Sequence, residues 1–495
     1  MTRGSLKFAR VVQLLKQNYV QPVDPNRVIL EGAVRGMLAS LDPFSSFFNR
    51  DQFKMLQQET RGKTLGFGSI LSVQPGRVMV LQTQRGSPSW RAGLGPGDQI
   101  TAVNGRLLDD LGLRSLIALL RGARSHPVRL SVLRPGDVQA QNFNLVPAQV
   151  AMPTVDTAFA YSNGIGYIHL TSFENKTPQE MVSAFRRLDA PHLKGLILDL
   201  RGNPGGVLQS AVQVCSLFLK PGDVVLTVRG RAVPEKIYRT GEAPMRVTVP
   251  LIVLVNGRTA SAAEVVSAAL QDHDRAVIAG ERTFGKGVVE SVMPLSAGTG
   301  LALLTAEYFT PSGRSIQRPL PGTALKNPIR GLAVSTRDAA PVYHTDDGRL
   351  VTADGGVTPD FRIPVPQPDP WLQFLTEAGM FSSFASEYFT YHSKITKAFE
   401  PSEETLEEFR NFLSAQRIRS PKQYWLKDQN ELKNNLRVAL LTLAFGLNYG
   451  NEVTARTDPQ IEKAVALLPR VPALLKGPPK RGIYARAEPR GRSAQ

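Results

Sequence analysis

The chain has 495 residues, enough for two to four domains, and 42% of them are hydrophobic, ordinary for a globular core. Its formal charge of +17 would attract acidic partners, but no nucleic-acid-binding motif accompanies it, so nucleic acid is not the expected partner. A single cysteine, Cys215, excludes an internal disulfide and a Cys-rich metal site, and six scattered histidines without HExxH spacing argue against a zinc hydrolase, so no metal or other cofactor is expected.

Residues 1–62 read as a helical segment. Val11, Val12, Leu14, Leu15 and Tyr19 fall at helical spacing, and Val28 to Leu38 repeat the pattern. Leu41-Asp42-Pro43 ends the second helix, and Phe44, Phe47 and Phe48 follow as an apolar anchor. The opening lacks the apolar stretch of a secretory signal. No apolar run reaches the roughly 20 residues a bilayer needs, so no membrane span is expected.

Residues 63–150 change character. Short β-like runs, Val78 to Leu81, Gln99 to Val103 and Val128 to Leu133, alternate with Gly- and Pro-rich turns, a short helix after GSPSW and a second helix near Leu113 to Leu120. This layout resembles a PDZ domain. The resemblance implies that Leu65, Gly66, Phe67 and Gly68 form a peptide-binding loop. Glycines there let successive N–H groups converge on a terminal carboxylate while the ligand adds a strand. Arg121, where the chain leaves the second helix, is a candidate to relay occupancy.

Residues 151–365 alternate strands and helices. Gly164 to His169, Gly195 to Leu200, Pro250 to Val255 and Arg275 to Ala279 read as strands. Pro178 to Leu188 and Leu208 to Leu219 read as helices. Continuous apolar strands between helices predict a sheet covered on both faces. After residue 365 the chain turns helical, to about 475, with Leu432, Leu436, Ala439, Leu440 and Leu443 on one face. Residues 476–495 form a basic, Pro/Gly-rich tail expected to be disordered.

Within the third segment, GERTFGKG begins like a phosphate-binding loop. Such a loop needs Ser or Thr after its lysine and then a helix. Here Gly287 follows Lys286, and Val288 to Val292 read as a strand, so nucleotide binding is not expected. Upstream, Ser261 begins a helix just beyond the strand that ends at Val255. Ser261-Ala-Ala-Glu264 is a capping box, and capping alone would explain the serine. A serine in that place also sits where helix N–H groups could stabilise an oxyanion. His273 lies beyond the same helix and would point elsewhere. A lysine that burial makes easier to deprotonate can serve as the base instead, and Lys286 sits between glycines that allow close approach.

LILDLRGNPGG, NGRTASAAE, ALQDHDRAVIAGERTFGKG, YFTPSGRSIQ and GGVTPD together resemble the carboxyl-terminal processing, or tail-specific, proteases, over about residues 10 to 365. The resemblance implies an α/β fold: a ClpP/crotonase-like protease core with an inserted PDZ domain and helical ends. It implies a serine endopeptidase that captures protein C-termini on its PDZ domain and cleaves near them. Carried over by position, Ser261 is the nucleophile and Lys286 the base. Gly205, Gly206 and Ala262 line the oxyanion hole, and Asp272 gives support. A periplasmic or other extracytoplasmic location is implied, with the cytoplasm as alternative, and the helical ends could pair subunits into a homo-oligomer.

One position departs from the family pattern. The residue four after the lysine is usually glutamine, and here it is Glu290. A carboxylate there would stabilise the ammonium of Lys286, the wrong direction for a base. The alternatives to a working protease are an inactive protease-fold scaffold that binds C-termini and an acyl-CoA enzyme on the same core.

Overall fold

The computed structural model describes residues 3–476, apart from 25–27, 61–63, 75, 135–136, 151–152, 190–191, 321–341, 366–368, 393–394 and 420. The expected disordered tail lies outside the described residues from 477 on. Among the described residues no helix is long and apolar enough to cross a membrane.

The N-terminal segment holds α1 (Arg3–Asn18), a π-helical turn at Val28–Val34 and α2 (Arg35–Ala39). Beyond the helix stop at Leu41-Asp42-Pro43, the segment with the expected apolar anchor forms β1 (Ser46–Phe48), paired with residues 300–302, before α3 (Arg50–Thr60). The stop itself is local. The Asp42 carboxylate accepts the N–H groups of Phe44 and Ser45, at 2.8 and 2.6 Å, and the Ser45 hydroxyl at 2.8 Å, which turns the chain out of the helix.

The segment resembling a PDZ domain contains β2 (Thr64–Gly66), β3 (Ser69–Gln74), β4 (Arg77–Thr83), α4 (Pro88–Arg91), β5 (Gln99–Val103), β6 (Arg106–Leu107), α5 (Leu113–Ala123), β7 (Val128–Leu133), β8 (Gln141–Leu145) and β9 (Ala148–Val150). Its sheet runs β3-β4-β5-β7-β8 with β6 on β5, and β2 pairs with β9 where the segment begins and ends. Val78, Val80, Ile100, Val103, Leu116 and Val132 fill its core.

The third segment is built on β10 (Val155–Ala160), β11 (Ile165–Leu170), α6 (Thr177–Arg187), β12 (Gly195–Asp199), α7 (Leu208–Ser216), β13 (Val224–Arg229), β14 (Lys236–Arg239), β15 (Leu251–Val255), α8 (Ala262–Asp272), β16 (Val277–Gly280), β17 (Val288–Pro294), β18 (Gly300–Phe309), a ribbon of β19 (Tyr343–His344) and β20 (Leu350–Val351), and β21 (Phe361–Arg362). The main sheet runs β10-β11-β12-β15-β16-β21 and is parallel from β11 onward. A second sheet runs β1-β18-β13-β14, with β17 also on β18. Leu196, Leu198, Leu251 and Val253 face the helices α6, α7 and α8 on one side of the main sheet.

The C-terminal helices are α9 (Pro370–Glu377), α10 (Met380–Tyr391), α11 (Glu403–Ala415), α12 (Lys422–Lys427), α13 (Gln429–Phe445), α14 (Leu447–Arg456), α15 (Pro459–Leu467) and α16 (Val471–Leu474). They do two jobs. Leu375, Phe384, Phe409, Trp425, Leu436 and Leu440 form a core that also takes in Met79 of β4. Ile461, Ala464 and Leu467 of α15 cover Ile197, Ile252 and Val277 on the other face of the main sheet. Both faces of the sheet are thus buried, which is why its strands are apolar throughout.

Candidate active site

Three loops meet at the carboxyl ends of the parallel strands β12, β15 and β16, where open α/β sheets bind their ligands. They carry Gly205 and Gly206, Ser261, and Lys286 respectively.

Ser261 is the N-cap of α8 with φ 55° and ψ −118°, a backbone conformation L-residues rarely adopt. The partners of the expected capping box are present, but the Ser261 side chain makes no cap hydrogen bond. Its hydroxyl instead meets the phenol of Tyr308, a buried side chain on β18 that burial pushes up to about 12. Glu264 serves a wider purpose than the box. Its buried carboxylate accepts the Ser261 N–H at 2.9 Å, the Lys286 N–H at 2.8 Å, the Gly285 N–H at 2.7 Å and the Thr283 hydroxyl. The Thr283 oxygen accepts from the Val357 N–H, so its own proton points to Glu264. Burial raises the affinity of Glu264 for a proton, against these hydrogen bonds. All four partners are donors, which suits the carboxylate.

Lys286 therefore has its backbone tied to the same oxygen as Ser261. Its amine is engaged elsewhere: Nζ lies 3.3 Å from Glu290 Oε2 and 4.8 Å from the centroid of the Phe44 ring. Among the described residues no hydrogen bond joins that amine to the Ser261 hydroxyl. Glu290 points toward the lysine. His273 bonds Asp346 and the Val224 carbonyl, each at 2.7 Å, away from the serine.

Gly205 packs on the serine: a Cβ there would lie 2.8 Å from both Ser261 Cβ and Ala262 N, and φ is +96°. A Cβ on Gly206 would lie 2.1 Å from the Phe173 carbonyl oxygen. The Gly205 N–H donates to Asn203 Oδ1 at 2.8 Å. Among the described residues no acceptor takes the N–H of Gly206 or of Ala262. The loop is held at its root by Arg201, which pairs with Asp199 at 2.6 Å and with Asp458, the N-cap of α15, at 2.8 Å. Burial disfavours the charge of Asp199, but Arg201 outweighs it and keeps its carboxyl below the usual range.

Asp272 lies at the far end of α8 from Ser261. It accepts from Arg314 at 2.8 Å, from the Ser312 N–H at 3.0 Å and from the Thr310 hydroxyl. Gly66, Phe67 and Gly68 line a cavity of about 320 Å³, with Leu71, Leu120 and Arg124. Leu65 is outside its wall, and its carbonyl accepts from Arg124 Nε at 3.0 Å. Arg121 is exposed on the same helix. Sequence reasoning did not assign site roles to Tyr308, Phe44 or Asn203. Their only signal was membership of YFTPSG, DPF and RGNPGG.

Residues 164–323 match Peptidase family S41, residues 79–134 a PDZ domain, and residues 3–52 the activating protease CtpB N-terminal domain. The chain is 35% identical over 338 residues to a carboxyl-terminal-processing protease of Synechocystis sp., covering 67% of this chain and 79% of that one. It is 33% identical to the carboxy-terminal processing protease CtpA of Bacillus subtilis, covering 63% and 66%. A solved photosystem II D1 C-terminal processing protease is 26% identical, covers 74% of this chain and 94% of its own, and superposes with a TM-score of 0.38. At 35% identity and with 79% of the Synechocystis enzyme matched, the chain belongs to the carboxyl-terminal processing proteases of peptidase family S41, serine-type peptidases with a PDZ domain.

Proposed function

We propose that this protein cleaves polypeptides near their C-termini with a Ser261–Lys286 dyad, after the cavity beside Gly66–Gly68 captures the terminal carboxylate. The observation that carries this reading is the shared Glu264 oxygen, which fixes the backbones of Ser261 and Lys286 next to each other although 24 residues separate them. The Lys286 amine leaves Glu290 and turns to the serine. In its neutral form it takes the proton of Ser261 Oγ, and the oxygen attacks the peptide carbonyl. The N–H groups of Gly206 and Ala262, which have no other acceptor among the described residues, receive the oxyanion. Lys286 returns the proton to the leaving amine, and water releases the acyl group by the same steps. Asp272 acts at a distance by fixing α8.

The experiment is digestion of casein, or another unstructured protein, by the wild type, Ser261→Ala and Lys286→Ala. Both variants are expected to be inactive. Equal digestion by all three would end the proposal. Substrates with a free and an amidated C-terminus test capture: amidation is expected to raise KM, and equal KM values would remove the carboxylate from the account.

A further inference from the structure

We propose that Phe44 is a positioning residue for the amine of Lys286: its ring, presented by the N-terminal segment, keeps the ammonium beside Glu290 and away from Ser261. The inference rests on the dyad reading above.

The ring is not a loose neighbour. Asp42, itself buried, fixes the turn through the Phe44 and Ser45 N–H groups and the Ser45 hydroxyl. The Ser45 oxygen accepts the Leu304 N–H at 3.4 Å, and Ser46 to Phe48 pair with Ala302 to Gly300 on β18. The same strand carries Tyr308, whose N–H donates to the Gly287 carbonyl at 2.7 Å. Phe44 is thereby locked to the strand that braces the Lys286 turn, and its face stands 4.8 Å from the amine.

An aromatic face attracts a cation and not a neutral amine. Phe44 thus favours the charged, idle lysine, and so does Glu290. The other charged or titratable groups on elements around this turn are Glu264 of α8, Glu307 and Tyr308 of β18, and Arg318, whose N–H donates to the Gly285 carbonyl. Of these, Glu264 is occupied by backbone donors and Thr283, so the amine is held by Glu290 and the ring. Undocking residues 42–48 from β18 would release the base, which gives the N-terminal segment a hold on catalysis independent of the peptide-binding cavity.

The test is the pH dependence of kcat/KM on casein for the wild type, Phe44→Leu and Phe44→Trp. Activity needs the neutral amine, so it rises with pH. Loss of the aromatic face in Phe44→Leu is expected to move that ascending limb about half a pH unit lower, a roughly threefold gain on the limb. Phe44→Trp, with the stronger face, is expected to leave the limb in place or move it higher. A Phe44→Leu enzyme with lower kcat and an unmoved limb would overturn the proposal, because a ring that only packs would behave so. Should Phe44→Leu not fold, a Phe44→Trp limb displaced to lower pH overturns it equally. An active Lys286→Ala enzyme would instead bring down the dyad reading, and the proposal with it.

Discussion

Ser261 and Lys286 donate their backbone N–H groups to one and the same carboxylate oxygen, Oε2 of Glu264, at 2.9 and 2.8 Å. Glu264→Gln places an amide NH₂ among donors, and at least one N–H must lose its acceptor. A buried mismatch of that kind costs about 1–3 kcal/mol. If it is expressed as misplacement of the two side chains, kcat falls about tenfold or more while KM stays nearly constant. Steady-state kinetics check this, and a change in KM alone would contradict it.

Glu290→Gln removes the negative charge 3.3 Å from the Lys286 amine. The carboxylate holds the amine away from the Ser261 hydroxyl, so its loss lets the amine turn to the serine. Steady-state kinetics are expected to show a higher kcat with KM nearly constant. An unchanged kcat refutes the idea that Glu290 restrains the base.

Asp272→Ala strands the Arg314 guanidinium, which is fully buried beside it. Removing one partner of a buried ion pair costs about 3–5 kcal/mol. Urea unfolding is expected to show a much lower midpoint. The double replacement Asp272→Leu with Arg314→Met should recover most of the loss, since no charge is then left alone. Activity in the double variant reports whether Asp272 does more than hold the helix.

His169 on β11 provides a pH signature. Burial works against its charge, but the hydrogen bond to Asp156 at 2.8 Å and the charge of Asp199 outweigh burial and lift the ring to about 9. The folded value lies above the unfolded one of about 6.5. The stability this contributes is fully present below about 6.5 and is lost as pH rises through about 9. Melting curves between those values should show a falling Tm for the wild type and a flatter trend for Asp156→Asn. Parallel trends would show that the pair contributes nothing.

Much of the fold was legible because it is local. Gln99–Val103 and Val128–Leu133 are strands at the residues expected, since alternation and turn chemistry act over a few positions. Val288 onward is a strand, as the β-branched run after Lys286 implied, which removes the helix a phosphate loop requires. The strand at Ser46–Phe48 was missed because its partner, Gly300 to Ala302, lies some 250 residues away. The capping box at Ser261-Ala-Ala-Glu264 is visible as a pattern, but the role of Glu264 reaches beyond it. Three spaced residues reveal that Glu264 can reach Ser261, and they say nothing of Gly285 and Lys286.

The family, the order of the segments, and a serine and a lysine standing just beyond the ends of apolar strands are all legible before any folding is considered. Motif spacing and hydrophobic period are properties of neighbouring residues, so they survive without a fold. It took the folded chain to bring the Lys286 N–H to the carboxylate that holds Ser261, and to lay Phe44 on the lysine. Hydrogen bonds and ring contacts act over a few ångströms, and chain positions tens to hundreds of residues apart come that close only when β1, β17 and β18 pair and β12, β15 and β16 align.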